Sequence, residues 1–433
     1  MVTETFFQQA RGLTRDQRNA FIASFLGWSM DAFDYFLLVF VFAEVAKDLH
    51  STLAAVVFTT TLTLAARPVG ALIFGLIADR FGRRIPLMAD VVFYSLIELL
   101  TGFSSSLTML LVLRTLYGIG MGGEWGLGAS LAMEKIPTAK RGFYSGLLQQ
   151  GYAFGYLLAA LAYYVIGVHF GWRWMFIIGS LPALLVLYIR SRVGESEVWE
   201  RTVQRNTPVA RVFFNRTVLL RFVYLIVLMT AFNFMSHGTQ DLYPTFLKAQ
   251  HHASAGLAVV IAIIYNIGAL IGGVIGGALS ERFGRRRVVV VMALLALPVV
   301  PLFAFSASLG LLTLGAFLMQ FLVQGAWGVI PAHLSELSPD EIRGFYPGVT
   351  YQLGNLFAAI NLPLQTWIAG NNDHNYGKGL AFVIVPVLLA VAVITAVGPE
   401  NRGAQFGRSS EPERRASRDE GVAGIAGSPR PAV

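Results

Sequence analysis

Apolar stretches long enough to cross a bilayer follow one another along almost the whole chain, and a bundle of membrane helices is nearly all that such a pattern can build. A spanning helix needs ~20 mostly apolar residues. Twelve such stretches begin near Asn19, Leu53, Ile85, Leu107, Phe143, Trp172, Leu220, Leu257, Val288, Leu311, Phe345 and Ala381. The connectors are mostly short, so no large soluble domain remains to house a conventional active site. Only 13% of the 433 residues are charged, against about 25% in a soluble domain. The opening MVTETFFQQARGLTRDQRN lacks the charged-then-apolar pattern of a cleaved signal and is expected to be a cytoplasmic arm.

The net charge of +8 raises the question of a nucleic-acid partner, and its distribution answers it. With the N-terminus inside, Lys47, Arg173, Lys248 and Lys378 fall on external connectors, and Arg67 and Arg114 fall within spans. All other Lys and Arg fall on cytoplasmic segments. That is the positive-inside bias of an inner or plasma membrane protein with both termini cytoplasmic. The basic balance therefore reports topology, and no nucleic acid is expected. The chain has no cysteine, which excludes disulfides, thiol nucleophiles and Cys-ligated metals.

The sequence repeats itself. GLIADRFGRR at Gly75 returns as GALSERFGRR at Gly277, and EKIPTAKRGFYSG at Glu134 returns as ELSPDEIRGFYPG at Glu336, both after 202 residues. Trp125 and Trp327, and Gln150 and Gln352, share the offset. A single offset held across several connectors implies two homologous halves. The expected divisions are a cytoplasmic arm at 1–18, six-helix bundles at 19–192 and 219–398, a cytoplasmic linker at 193–218 and a disordered cytoplasmic tail at 399–433.

The G-x-x-x-D-R-x-G-R-R pattern between spans two and three resembles the loop motif of the major facilitator superfamily, with Glu281 replacing Asp79 in the second copy. The resemblance covers roughly residues 18–400. It implies an all-α integral membrane fold of 12 helices in two pseudo-symmetric six-helix bundles, working by alternating access. RTLYGIGMGGEW at Arg114 is similar to span four of the sugar and metabolite symporter branches. GESEVW and PENRG resemble their acidic cytoplasmic motifs, with departures that weaken a sugar assignment. The glycine–proline motif of drug antiporters is missing from span five.

Ionisable residues within spans are costly, so each is a candidate for function. The densest group is NFMSHGTQDLYPT from Asn233 to Thr245. At 100° per residue, Asn233, Ser236, His237, Gln240 and Asp241 share about 140° of one helix face, while Thr239 points elsewhere. The stretch resembles N-x-x-[S/T]-H-x-[S/T]-Q-D-x-x-x-T of the sialate:proton symporter family and its Jen-type lactate and pyruvate permeases. The resemblance implies a proton-coupled symporter of small monocarboxylates. Sialate or another organic acid is the alternative within transport, a ligand sensor of transporter type the alternative outside it. A helix–helix hydrogen-bond seam without transport chemistry would also account for the stripe.

Arg114 offers a bidentate fork for a carboxylate, or a structural pair with Glu98, Asp31 or Asp34. Arg67 is the second basic candidate, with a structural role favoured. Asp31 and Asp34 lie three apart on span one, at positions equivalent to Asn233 and Ser236. They are expected on the opposite wall of a cavity, where neighbouring carboxylates suit proton carriage. Salt bridges to Arg67 or Arg114 are the other reading. His237 and Asp241 are the principal proton-coupling candidates, with Arg114, Asn233, Ser236, His237 and Gln240 as the substrate-binding set. Asn266, Gln320, Gln324, Asn355 and Asn361 are weaker candidates for the cavity, and Glu124 for a gate or packing role.

A cytoplasmic gate is expected from Asp79, Arg83, Arg84, Glu134, Arg141 and Glu195, with Glu281, Arg285, Arg286, Glu336, Arg343 and Glu400 as its counterpart. No H-E-x-x-H or comparable catalytic cluster is present, so an enzyme is not expected. Neither is a cofactor or a metal. The expected partners are a small carboxylate anion, a proton and the lipid bilayer, with the protein a monomer.

Overall fold

A computed structural model describes residues 12–203 and 208–407. Most of the expected arm and tail, and part of the linker, lie outside the described residues. The long helical segments are α1 (Arg15–Phe40), α2 (Leu53–Phe81), α3 (Arg84–Gly102) and α4 (Leu107–Lys135). Then follow α5 (Thr138–Phe170) and α6 (Trp172–Arg192). The second series is α7 (Arg216–Gln240), α8 (Ala255–Phe283), α9 (Arg285–Ala304), α10 (Leu309–Leu337), α11 (Tyr346–Ala358, continued by Asn361–Gly370) and α12 (Tyr376–Val397).

Several helices begin at or just before their apolar stretch, where a polar residue caps the first turn. Thr52, Ser106 and Ser254 each accept a hydrogen bond from the backbone N–H three residues on, at 3.2 Å. This satisfies one of the donors that a helix start leaves open. Gly82 and Gly284 end α2 and α8 at φ 96° and 99°, a backbone region that glycine enters without a Cβ penalty.

Ten of these helices are long and apolar enough to cross a membrane by length and composition. α4 and α11 fall short of that measure, although both take their places in the two series of six helical segments. From Gly120 to Glu134 every residue of α4 is buried, so protein rather than lipid surrounds that half of the helix. α11 is interrupted between Ala358 and Asn361. Elsewhere the molecule turns its apolar side outward. Leu72, Ile73, Val223 and Leu389 are each more than 40% exposed, whereas Asp31, Glu98 and Glu124 are fully buried. This inversion of the usual arrangement marks a protein solvated by lipid.

Glycines set the closest helix contacts, and they do so twice. A Cβ at Gly70 would lie 1.7 Å from the Ile119 carbonyl oxygen, and one at Gly122 would lie 1.9 Å from that of Arg67, drawing α2 onto α4. At the equivalent place in the second series, Cβ atoms at Gly272 and Gly276 would each lie 2.0 Å from the carbonyl oxygens of Phe321 and Gly325, drawing α8 onto α10. Small residues allow such backbone approach without a hydrophobic driving force between helices in lipid.

Candidate functional site

At the end carrying the loop motifs the two halves are locked together. Asp79 accepts from the backbone N–H groups of Gly344 (2.6 Å) and Phe345 (3.3 Å) in the other half, and from Arg83 (2.6 Å) at the start of α3. Arg83 also binds Glu134 at 3.1 Å, and Arg285 binds Glu336 at 2.9 Å and Glu281 at 2.7 Å. Glu281 accepts from the Gly142 backbone N–H across the divide.

The expected grouping of the gate is corrected in one respect: the arginines cross over. Arg141 of the first half reaches Glu336 at 3.5 Å, and Arg343 of the second reaches Glu134 at 3.6 Å. Glu195 and Glu400 are spent on backbone, accepting from the N–H groups of Arg83 and Arg84 and of Arg285 and Arg286 respectively. Arg84 and Arg286 donate from their side chains to the carbonyls of Arg190 and Ala396. Glycines make the closure possible. A Cβ at Gly75 would lie 2.4 Å from Phe345 Cα, and one at Gly146 would lie 2.4 Å from the Gly273 carbonyl oxygen.

The chain beyond α12 also belongs to this end, and residues 399–407 lie against it rather than forming part of a disordered tail. Phe406 lies between Arg141 and Arg343, with its ring centroid 3.7 and 3.8 Å from the two guanidinium carbons. Arg141 also donates to the Ala404 carbonyl at 2.9 Å. A lone phenylalanine in a polar stretch was the available signal in the sequence.

Away from that end, the polar stripe of α7 is partly open and marks the candidate cleft. Among the described residues, the cross-half hydrogen bonds gather toward the motif end, with one more, between Arg67 and Tyr351, at the midpoint of α2. His237 and Asp241 keep side-chain exposures of 36% and 35% although they belong to a membrane-spanning bundle. His237 Nδ1 lies 3.1 Å from Asp241, and its Nε2 lies 3.2 Å from Asn355 Oδ1 on α11. Gln240 donates to Gln320 on α10 at 3.0 Å, and both Gln240 and Gln324 approach Ser236 Oγ at 3.3 Å. Thr239 points away from the stripe as expected and receives Gln320 at 3.0 Å. Asn233 is buried and donates to the Met229 carbonyl of its own helix at 2.8 Å, so it stands behind the network rather than in it. Asn266 likewise returns to its own helix, donating to Ala262 at 2.9 Å.

The arginine expectation is corrected. Arg114 forms an ion pair with Glu98, donates to Thr101 at 3.0 Å, and lies over the rings of Tyr117 and Phe176. It is 1% exposed and its charge is already neutralised. Arg67 sits at the midpoint of α2, 5.8 Å from the centroid of Tyr351 on α11. Its Nε and Nη2 have no hydrogen-bond partner among the described residues. Arg67 is close enough to His237, Tyr35 and Tyr152 to act on them electrostatically.

Asp31 and Asp34 do not form a cavity wall. Both are fully buried without hydrogen-bond partners for their carboxylates among the described residues. Asp34 packs toward α6, where a Cβ at Gly179 would lie 3.1 Å from its Oδ1. Tyr351 was missed because an aromatic residue in an apolar helix carries no charge signal. Gln365, which donates to the Gly238 carbonyl at 2.8 Å, was missed because it lies beyond the interruption of α11.

Comparison with known proteins agrees with this architecture. The sequence profile described as "Major Facilitator Superfamily" matches residues 23–263 and 240–429. The chain is 30% identical to a carboxylic acid transporter protein homolog of Saccharomyces cerevisiae, over 90% of this chain and 70% of that one. It is 29% identical to the sialic acid transporter NanX of Escherichia coli, over 88% and 94%. Its fold superposes on the proton:xylose symporter XylE with a TM-score of 0.75 at 19% identity, covering 90% of this chain and 98% of that one. The chain is thus a membrane transporter rather than an enzyme, and it belongs to the major facilitator superfamily.

Proposed function

We propose that the chain is a proton-coupled symporter of small monocarboxylates of the lactate and pyruvate kind, working by alternating access. The observation that carries this reading is the pairing of the partly exposed His237 and Asp241, within electrostatic reach of an Arg67 guanidinium whose Nε and Nη2 have no hydrogen-bond partner among the described residues. A substrate carboxylate on Arg67 would satisfy those donors, with the fork geometry that a guanidinium offers a carboxylate. Ser236, Gln240, Gln324 and Asn355 would orient the cargo and the imidazole. A bound anion favours a proton on the His237–Asp241 pair, and by linkage a bound proton favours the anion. Relatives named for carboxylic acid and sialic acid transport support an organic acid as cargo.

Uptake of an anion alone opposes a negative-inside potential by ~2.3 kcal/mol per 100 mV. One accompanying proton makes the event electroneutral and adds the pH gradient as a driving force. With both termini cytoplasmic in an inner or plasma membrane, the sealed motif end is the cytoplasmic gate and the cleft faces outward. Transport requires no partner chain, and the protein acts as a monomer. Purified protein in liposomes should accumulate labelled lactate or pyruvate when the outside is made acidic, with glucose failing to compete. Competition by glucose with none by pyruvate would overturn the reading.

A further inference from the structure

Five carboxylic side chains are sealed inside the first half: Asp31 and Asp34 on α1, Asp90 and Glu98 on α3, and Glu124 on α4, all with no exposed surface. Only two guanidinium groups, Arg67 and Arg114, are buried near them, and Arg114 is taken by Glu98. An unpartnered buried carboxylate costs several kcal/mol to keep ionised. The excess of acids over bases must therefore be balanced by protons.

The geometry indicates where one proton resides. Asp90 and Glu124 lie within hydrogen-bonding reach of each other. No other donor among the described residues reaches their oxygens. Two ionised carboxylates can only accept, so the pair is joined only when one of them holds a proton. The site is built rather than incidental. Glu124 fills the space left by a glycine on α1, where a Cβ at Gly27 would lie 1.9 Å from its Oε1. One turn beyond Asp90, the fully buried Tyr94 hydroxyl has no partner among the described residues, and it lies in the field of Asp90, Glu124, Asp31 and Asp34. Among the described residues no group of acids and histidines has the arrangement of a metal site.

We infer that Asp90 and Glu124 share a proton, forming a second proton-binding site distinct from the His237–Asp241 pair and lying on the way from the cleft to the motif end. Glu124 is ten residues along α4 from Arg114, which places it ~15 Å closer to the gate at 1.5 Å per residue. The titratable groups whose fields reach the pair are Asp31 from α1 and Tyr94 from α3. The step is a proton transfer alone: an O–H bond breaks on one carboxyl as another forms on its neighbour. Its role in transport rests on the symport reading above, whereas the shared proton does not.

Infrared difference spectra in H2O and D2O test the shared proton directly. The wild-type protein at neutral pH should show a protonated-carboxyl stretch that is lost or displaced in both Asp90→Asn and Glu124→Gln. The same band, unchanged in both variants, would overturn the inference. Under a tenfold proton gradient in liposomes, one proton per substrate drives ~tenfold accumulation. Glu124→Gln should bring this near unity while exchange of internal for external substrate persists, and Glu124→Asp should restore it. Undiminished accumulation in Glu124→Gln would overturn the transport role. If Glu124→Gln does not fold, Asp90→Asn gives the same two readouts. Failure of the wild-type protein to respond to the gradient would count against the symport reading, and the carboxyl band would still decide whether the proton is shared.

Discussion

The first helices of the two halves, α1 and α7, occupy equivalent places and carry opposite designs. Asp31 and Asp34 correspond by the 202-residue repeat to Asn233 and Ser236. On α1 both carboxylates are turned into the bundle and fully buried. On α7 the buried position is a neutral amide bonded to its own helix, and the polar residues that follow it open onto the cleft. The duplicated backbone fixes where a side chain can be, but not which way its chemistry faces. The first half keeps its charge inside, with more buried acids than bases. The second half spends its polar groups on a network that a ligand can enter. Arg67 joins them, a buried cation of the first half whose guanidinium carbon lies 5.8 Å from the Tyr351 ring centroid in the second.

The largest expected effect separates the two buried arginines. Arg67→Ala should weaken carboxylate binding by at least ~30-fold, from the 2–5 kcal/mol typical of truncating one partner of a buried charged contact. Arg114→Lys should leave binding within a few-fold. Equilibrium binding of labelled lactate to both variants checks this, and a reversed order would return the anchor to Arg114. The complementary loss is in stability. Arg114→Ala leaves Glu98 buried without its partner, which typically costs 3–5 kcal/mol. It should lower the Tm of the purified protein far more than Arg67→Ala does.

A smaller effect is expected at the motif end. Phe406→Ala removes two cation–π contacts, each ~0.5–2 kcal/mol, that bridge arginines of opposite halves. The population should move toward cytoplasmic opening by roughly tenfold. A single cysteine placed in the cleft of this cysteine-free chain should then label more slowly from outside. The smallest effect is expected at Asn233, whose amide stands behind the network. Asn233→Ala should cost about 1 kcal/mol of stability with little change in affinity, whereas Gln240→Ala should weaken binding measurably. Equal affinity losses in the two would place Asn233 in the cleft after all.

The fold was legible because lipid imposes an apolar period on helices that have no other way to satisfy their backbone, and because the repeat marks the two halves directly. α4 was read as a span from Leu107, but its burial by protein between Gly120 and Glu134 was not legible. The α7 stripe was legible because five polar residues on one face of an apolar helix must meet something other than lipid. The partner of each ionisable residue was not legible. Arg67 and Arg114 are alike as single residues in apolar helices, and only the packing of α3 against α4 assigns Glu98 to one of them. The strap ending at Phe406 was hidden for a related reason. Its composition is that of a disordered tail, and its order comes from two arginines separated from it by more than 60 residues of chain.

The central claim is that a proton on the His237–Asp241 pair drives a carboxylate across the membrane, and Asp241→Asn tests it most directly. The asparagine keeps the size of the side chain and its contact with His237 but cannot titrate. In liposomes with an acidic exterior, wild-type protein should accumulate the labelled acid ~tenfold per pH unit for one proton per substrate. Asp241→Asn should equilibrate the acid without accumulating it and should still exchange internal for external substrate. Full accumulation in Asp241→Asn, at the wild-type ratio and with the wild-type dependence on the gradient, would contradict the account.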